Sequence, residues 1–240
     1  MYHFSGTFEG VEKFWIWGHL KTSTSKTMDI GQKNDNVLPK QYERVIFKND
    51  MNILIEGDNG TGKDTLAKAF RVPFDIITYH TEIQHKIFSA RTFKGFTQIL
   101  QFLDYNAACS CIMSNNAKAK KNSITIRYWP STLTAAYADK NLSELDCDLL
   151  VDICISTFVM PDLVIFLECD YNERIRRIAL RNSPIFDDKT IERAERYTYY
   201  SNKIMDKLGN IVHKINTTDK SKEYVENMVR ALINQKAFND

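Results

Sequence analysis

The chain has 240 residues, of which 43% are hydrophobic and 12% aromatic, so it can bury a sizeable core and a mainly disordered protein is excluded. Its formal net charge is only +2, from 32 Lys and Arg against 30 Asp and Glu, so charge neither demands nor excludes a nucleic-acid or membrane partner, and we expect neither. The sequence has no targeting-type N-terminus and no run near the roughly 20 apolar residues of a membrane span, so a soluble, cytoplasmic protein is expected.

The first 50 residues differ in pattern from the rest of the chain. Phe14–Trp17 suggests a short strand, and residues 21–26, which are rich in Ser, Thr and Lys, are predicted to be a loop. We predict that residues 1–50 are an extension and that residues 51–240 form one domain. The extension is expected to pack on the domain, to mediate dimerisation or to bind a ligand through its tryptophans.

From Met51 onward, short apolar runs alternate with segments of helical period, which is typical of strand–helix units in a parallel sheet. The predicted strands are Asn52–Glu56, Asp75–Tyr79, Ser123–Arg127, Leu163–Glu168 and Ile211–Ile215. The predicted helices are Asp64–Phe70, Phe96–Ala117, Thr132–Phe158, Asn172–Arg181, Ile191–Leu208 and Lys222–Lys236.

A glycine-rich loop follows the first predicted strand with the spacing of a Walker A motif, and its residues are Gly57, Asp58, Asn59, Gly60, Thr61, Gly62 and Lys63. In such a loop the backbone amides and the next helix N-terminus bind phosphate oxygens, while the lysine reaches the outer phosphates. The motif predicts ATP binding and an α/β fold of the P-loop NTPase type. This fold is a three-layer sandwich with a central, mainly parallel five-stranded sheet and helices on both faces. The alternative is a glycine-rich turn without a ligand.

The residue after the lysine departs from the motif, because Asp64 stands where a Ser or Thr normally binds magnesium. A carboxylate suits Mg²⁺ and also a helix N-terminus, so we predict that Asp64 binds the metal. The alternative is a helix-capping role alone. Thr65 comes one residue later, about 100° further round the helix, and is the poorer candidate.

Three further segments carry a resemblance. Arg127-Tyr128-Trp129-Pro130-Ser131 ends a predicted strand, residues 161–168 form a late strand that leads into the arginine-rich residues 173–181, and residues 100–106 lie on a helix. On these motifs residues 51–235 resemble the thymidylate kinase branch of the nucleoside monophosphate kinases.

The resemblance implies that Arg127 grips the phosphate of the acceptor, with Tyr128 and Ser131 beside it, and a planar guanidinium suits that bidentate task. The family's aspartate before this arginine is Ile126 here. We hypothesise that its loss and the gain of Asp64 are one relocated charge.

The arginines that follow the late strand resemble the family's lid, which closes over the phosphates. Arg174, Arg177 and Arg181 follow an i, i+3, i+7 spacing and so share one helix face, while Arg176 points elsewhere. Such arginines would neutralise charge on the transferring phosphoryl group. A solvated basic face paired with nearby acids is the alternative.

The acceptor base and sugar are expected to meet a third group of residues. By the resemblance, Phe102 stacks on the base and Asn106 replaces a base-reading arginine, although Phe102 also fits a core position. Asn59 replaces an acidic residue near the deoxyribose hydroxyl. These replacements leave the identity of the base open.

Two residues after the last strand, Asn216 and Thr217, resemble the loop that borders the adenine of ATP in this fold. They also fit an ordinary turn and helix cap.

The sequence thus predicts a (deoxy)nucleoside monophosphate kinase that uses ATP and Mg²⁺. One alternative is a deoxynucleoside kinase, in which Glu56 would accept the proton of a sugar hydroxyl. Another is a non-catalytic P-loop regulator that binds ATP. The expected partner is a small nucleotide acceptor, and assembly as a homodimer is left open.

Overall fold

The computed structural model describes residues 50–180 and 190–239. The predicted extension therefore lies outside the described residues except for Asp50, and so does Arg181, the last of the predicted lid arginines. Across the described ranges, no helix has both the length and the apolar character needed to cross a membrane.

The centre of the fold is a parallel sheet of five strands in the order β2-β3-β1-β4-β5. The strands are β1 (Asn52–Gly57), β2 (Asp75–Ile76), β3 (Ser123–Ile126), β4 (Leu163–Glu168) and β5 (Val212–Asn216). The predicted five-stranded parallel sheet is confirmed. Because β1 lies in the middle, the loop that follows it opens between the carboxyl ends of both neighbours, where ligands bind in such sheets.

The second predicted strand is too long, because β2 ends at Ile76 and residues 77–79 form a 3₁₀ turn. The Thr78 hydroxyl donates to the Ile126 carbonyl oxygen (2.7 Å) and accepts from the Ile126 backbone N–H (3.1 Å). A side chain thus replaces the backbone ladder at this edge, which the apolar pattern could not indicate.

Eight helices surround the sheet in the described part of the chain. They are α1 (Lys63–Ala69), α2 (Thr81–Thr92), α3 (Gly95–Lys118), α4 (Trp129–Ala138), α5 (Glu144–Thr157), α6 (Tyr171–Ala179), α7 (Ile191–Leu208) and α8 (Lys222–Asn239).

Two predictions for the helices were wrong. The single helix predicted over Thr132–Phe158 is two helices, because Lys140 takes a left-handed conformation (φ 57°) and the Ser143 hydroxyl caps α5. Helix α2 was missed, because it buries only Ile83 and Ala90 and so lacks a clear apolar stripe.

The core lies on both faces of the sheet, as a three-layer sandwich requires. Along β1, Ile53 and Ile55 pack in one cluster with residues of α1 and α8, whereas Leu54 packs in the other with residues of α3, α4, α5 and α7. This alternation follows from the two-residue period of a strand. The glycine loop is thereby held at the end of a strand buried on both faces.

Candidate active site

The glycine loop connects β1 to α1 and contains three glycines with positive φ, namely Gly57 (135°), Gly60 (83°) and Gly62 (99°). Other residues rarely adopt these conformations. A Cβ on Gly57 would lie 2.3 Å from the Leu167 carbonyl oxygen of β4, so the close approach of strand and loop also requires glycine. The strand, loop and helix occur in the predicted order.

We expect Gly57→Ala to destabilise the protein by about 2–5 kcal/mol, because it combines a strained backbone with a steric overlap. The matched control is Gly209→Ala, since Gly209 also has a positive φ (68°) but a Cβ there meets nothing within 4 Å. The control should cost only the backbone strain, about 1–2 kcal/mol. Urea unfolding of both variants measures the difference. Equal losses of unfolding free energy would contradict a steric overlap at residue 57.

Lys63 is the first residue of α1 and is almost fully buried. Its Nζ donates to the Asp58 carbonyl oxygen at 2.5 Å, so the side chain folds over the loop. Burial, with a smaller contribution from Arg127, lowers the pKa of the Lys63 ammonium to about 7, and the nearby Asp58 and Asp64 carboxylates oppose that shift.

The predicted metal ligand Asp64 lies in the first turn of α1, and its residue is exposed, as is Thr65. Among the described residues, no three His, Cys, Asp or Glu side chains are grouped so that they could hold a metal ion. Magnesium in phosphotransferases is commonly held by one or two carboxylates plus phosphate oxygens and water. One carboxylate beside a phosphate loop therefore fits Mg²⁺, and the role of Asp64 stays a prediction.

Arg127 immediately follows β3, at the edge of the sheet that carries the glycine loop. Its backbone has a positive φ (61°), which is costly for a residue with a Cβ and is typical of functional sites. Its Nη2 donates to the Asn59 Oδ1, so the predicted phosphate-binding arginine is attached to the predicted sugar-side residue of the loop.

Glu56 is buried at the end of β1, and both of its carboxylate oxygens accept hydrogen bonds from the start of α4. Its Oε1 accepts from the Tyr128 backbone N–H (2.8 Å) and its Oε2 from the Ser131 hydroxyl. Burial raises the pKa of the Glu56 carboxyl, while the hydrogen bonds from Ser131 and Tyr128 oppose that shift. Glu56 thus connects the glycine loop to α4.

Tyr128 reaches this site only through its backbone. Its ring is buried in the core, with its centroid 5.9 Å from that of Phe158. Of the three residues predicted around the acceptor phosphate, Arg127 and Ser131 therefore contribute side chains and Tyr128 contributes its amide.

Tyr197 of α7 belongs to the same region and was missed in the sequence. It is buried, and its phenol lies near the Arg127 guanidinium and the Ser131 hydroxyl. Burial raises the pKa of the Tyr197 phenol, and the positive charge of Arg127 opposes that shift. Together with Ala194 and Ser201 it forms a buried stripe along α7, so its helical spacing indicates an ordinary core position.

The residues predicted to meet the acceptor base lie on α3. Asn106 is buried, and its Nδ2 donates to the Thr132 Oγ1 of α4 at 2.9 Å, one residue from Ser131. Phe102 is half-buried one turn earlier on the same helix. The structure thus brings Asn106 to the start of α4, beside the predicted phosphate site.

Helix α6 carries the two described lid candidates, and the first of them, Arg174, contacts the glycine loop. Arg174 is buried, its Nη1 forms an ion pair with the Asp58 Oδ2, and its Nε donates to the Asn59 carbonyl oxygen (3.0 Å). Arg176, which the spacing placed on another face, has 62% of its side chain exposed, binds Glu173 and lines the same cavity as Arg177.

Arg177 binds the loop that follows β5. Its Nη2 donates to the Thr217 carbonyl oxygen (2.7 Å) and its Nη1 to the Thr217 hydroxyl (3.1 Å). Hydrogen bonds from Arg176 and Arg177 lower the pKa of the Glu173 carboxyl to about 2. The Thr217 hydroxyl in turn lies 3.3 Å from the Thr61 carbonyl oxygen, so Thr217 contacts the glycine loop directly.

A cavity of about 370 Å³ opens at the helix end of the glycine loop. Gly62, Thr65, Arg177, Thr217, Lys220 and Ser221 are among its lining residues. Asn216 instead forms a local turn, in which its Oδ1 accepts from the Thr218 backbone N–H at 2.8 Å. The site therefore has two sides, the cavity at one end of the loop and the Arg127 cluster at the other.

The chain is similar to known proteins in sequence and in fold. A family model described as thymidylate kinase matches residues 55–229. A search of curated proteins found no match.

Among solved structures, a thymidylate kinase from Candida albicans superposes with a TM-score of 0.62 at 18% identity, over 79% of this chain and 94% of that one. A thymidylate kinase from Ehrlichia chaffeensis gives 0.54 at 18% identity, over 76% and 97%. A deoxyadenosine kinase from M. mycoides with bound dATP gives 0.53 at 16% identity, over 77% and 100%. At these identities the structural likeness shows a shared fold.

Proposed function

Because the chain belongs to the thymidylate kinase family, and is thus an ATP-dependent nucleotide kinase, we propose that its acceptor is a (deoxy)nucleoside monophosphate. The reaction transfers the γ-phosphoryl group of ATP to the phosphate of that acceptor, with Mg²⁺ as the metal. The observation that carries this proposal is the attachment of Arg127 to Asn59 of the glycine loop.

The donor nucleotide is assigned to the glycine loop and the adjacent cavity. The backbone amides of residues 57–62 and the N-terminus of α1 suit the phosphates, and Lys63 supplies a charge over the loop. The cavity next to Thr65 and Thr217 suits the rest of the donor.

The acceptor phosphate is assigned to Arg127. A guanidinium at the end of the loop that holds the donor can bind a second phosphate bidentately and keep it in line with the γ-phosphoryl group. Tyr197 and Ser131, which are buried near Arg127, lower the local dielectric and strengthen that attraction.

A deoxynucleoside kinase fits less well because of the bonds that Glu56 makes. In that reaction a base must take the proton of a sugar hydroxyl. Glu56 is only 2% exposed and its carboxylate bonds to Tyr128 and Ser131, so we assign it to holding α4 and not to a substrate hydroxyl. A neutral nucleoside would also leave the Arg127 charge without its phosphate.

The residues act on the reaction by position and charge. Lys63 and Arg127 hold two anionic nucleotides together and stabilise the charge that spreads over the transferring group. Magnesium, held by Asp64 and phosphate oxygens, would neutralise further negative charge on the donor. No side chain needs to form a covalent bond.

ATP binding is expected to take up a proton at alkaline pH. With its pKa near 7, Lys63 is mostly neutral at pH 8 in the free protein, and phosphates would restore its charge. Uptake should be about one proton at pH 8 and about a tenth of a proton at pH 6. Titration calorimetry in buffers of different ionisation enthalpy measures it. Uptake that persists at pH 8 in Lys63→Met would assign the proton to another group.

A coupled ADP-release assay with Mg-ATP across the common nucleoside monophosphates and the matching nucleosides tests the proposed function. We expect turnover with at least one monophosphate and a kcat/KM for it far above that for its nucleoside. Turnover of nucleosides alone would replace the proposal with a deoxynucleoside kinase.

A further inference from the structure

Asp58, the second residue of the glycine loop, has a buried carboxylate that the proposed mechanism does not use. Its side chain is 7% exposed, and its Oδ2 forms an ion pair with the Arg174 guanidinium, whose side chain is 4% exposed. Two buried charges are retained against a desolvation penalty only when each satisfies the other. The pair therefore fixes α6 to the glycine loop.

The same two side chains hold the peptide groups on both sides of Asn59. The Asp58 Oδ1 accepts from the Asn59 backbone N–H (2.7 Å), and the Arg174 Nε donates to the Asn59 carbonyl oxygen (3.0 Å). The backbone of Asn59 thus has little freedom to rotate. Its side chain in turn accepts from Arg127.

Close packing of the backbones supports this connection. A Cβ on Gly60 would lie 2.8 Å from the Arg174 carbonyl oxygen and 3.1 Å from its Cα. Helix α6 therefore rests on the loop at Gly60. The Arg174 side chain cannot turn towards a distant phosphate without breaking its bonds to Asp58 and Asn59.

We propose that Asp58 and Arg174 are positioning residues, which set the affinity for the acceptor by holding Asn59 and, through its side chain, the Arg127 guanidinium. The inference rests on the proposed function. It gives Arg174 a role different from the predicted phosphate contact in a lid. The pair also neutralises a carboxylate that would otherwise repel the phosphates bound by the same loop.

A double-mutant cycle tests the pair in the full chain, with Asp58→Asn, Arg174→Gln and the double variant. Each single variant is expected to raise the acceptor KM by about 10- to 100-fold and to change the ATP KM much less, because a small displacement of Arg127 misaligns the acceptor. In the double variant the two amide side chains can still bond to Asn59, so its acceptor KM should be no higher than that of the more impaired single variant.

If the increases in acceptor KM of the two single variants multiplied in the double variant, the proposal would be overturned, because Arg174 would then act on phosphate independently of Asp58. A fall in kcat with an unchanged acceptor KM would also overturn it, since a purely structural role lowers only the amount of folded enzyme. The control is Asp152→Asn. Asp152 lies on α5 and its exposed carboxylate pairs with Lys207 of α7, so this variant should leave both KM values unchanged.

Hydrogen exchange of the ligand-free protein separates this inference from the proposed function. If the pair holds the loop, the amides of Asn59 and Gly60 should exchange about tenfold faster in Asp58→Asn, whatever the acceptor is. The double variant carries no unpaired buried charge. If a single variant fails to fold, amide exchange at Asn59 and Gly60 is therefore compared between the double variant and the wild type. Unchanged exchange in both would overturn the inference even if the monophosphate kinase activity is found.

Discussion

Lys63→Met is expected to lower kcat by about 1,000-fold or more, because it removes the one positive charge that the glycine loop places over the phosphates. The side chain is buried, and methionine has a similar length and volume, so the fold should be retained. Steady-state kinetics at saturating acceptor gives the effect, and circular dichroism verifies the fold.

The matched control for this variant is Lys68→Met, on the same helix but with an exposed residue. It should keep kcat within about twofold, since exposed surface charges have small effects. If Lys63→Met kept more than a tenth of the wild-type kcat, the assignment of the phosphates to this loop would be contradicted.

Arg127→Met is expected to lower kcat/KM for the nucleoside monophosphate by about 100- to 1,000-fold, mostly through a higher acceptor KM. The variant loses the guanidinium that would bind the acceptor phosphate and its bond to Asn59. The KM for ATP should change by less than about threefold, because the donor uses the other end of the loop. Initial rates over a grid of both substrates separate these values.

Arg230→Met is the control for Arg127→Met. Arg230 is a residue of α8, and its guanidinium lies over the ring of Phe70 at the end of α1, 4.7 Å from the ring centroid. Any effect of this control should appear in stability and not in the acceptor KM. An Arg127→Met enzyme with a normal acceptor KM would show that the acceptor phosphate lies elsewhere.

Much of the fold could be predicted, because the buried strands and the glycine loop are signals that lie close together in the sequence. Helix α7 and strand β4 have the predicted bounds. The break between α4 and α5 could not be predicted, because the residue with the left-handed conformation is Lys140 and not the glycine that usually marks such a helix end. The end of β2 depends on bonds between Thr78 and Ile126, which are 48 positions apart.

For the site, the sequence indicated which residues carry chemistry but not how they pair. Spacing grouped Arg174 with Arg177, but in the structure Arg174 contacts the glycine loop, whereas Arg177 and Arg176 share Glu173 and line the cavity. It could not show that Arg174 is paired with Asp58, because that contact joins the glycine loop to helix α6, which is distant in the sequence. Tyr197 could not be identified from the sequence, because its spacing fits an ordinary buried helix face.

The most direct measurement is the identity of the labelled product. The enzyme is given γ-labelled Mg-ATP with equal concentrations of a deoxynucleoside and its 5′-monophosphate, for each common base in turn, and the products are separated. The Arg127 site predicts that label appears in the nucleoside diphosphate of at least one base, with little in any monophosphate. Label found in a monophosphate instead would contradict a phosphate acceptor.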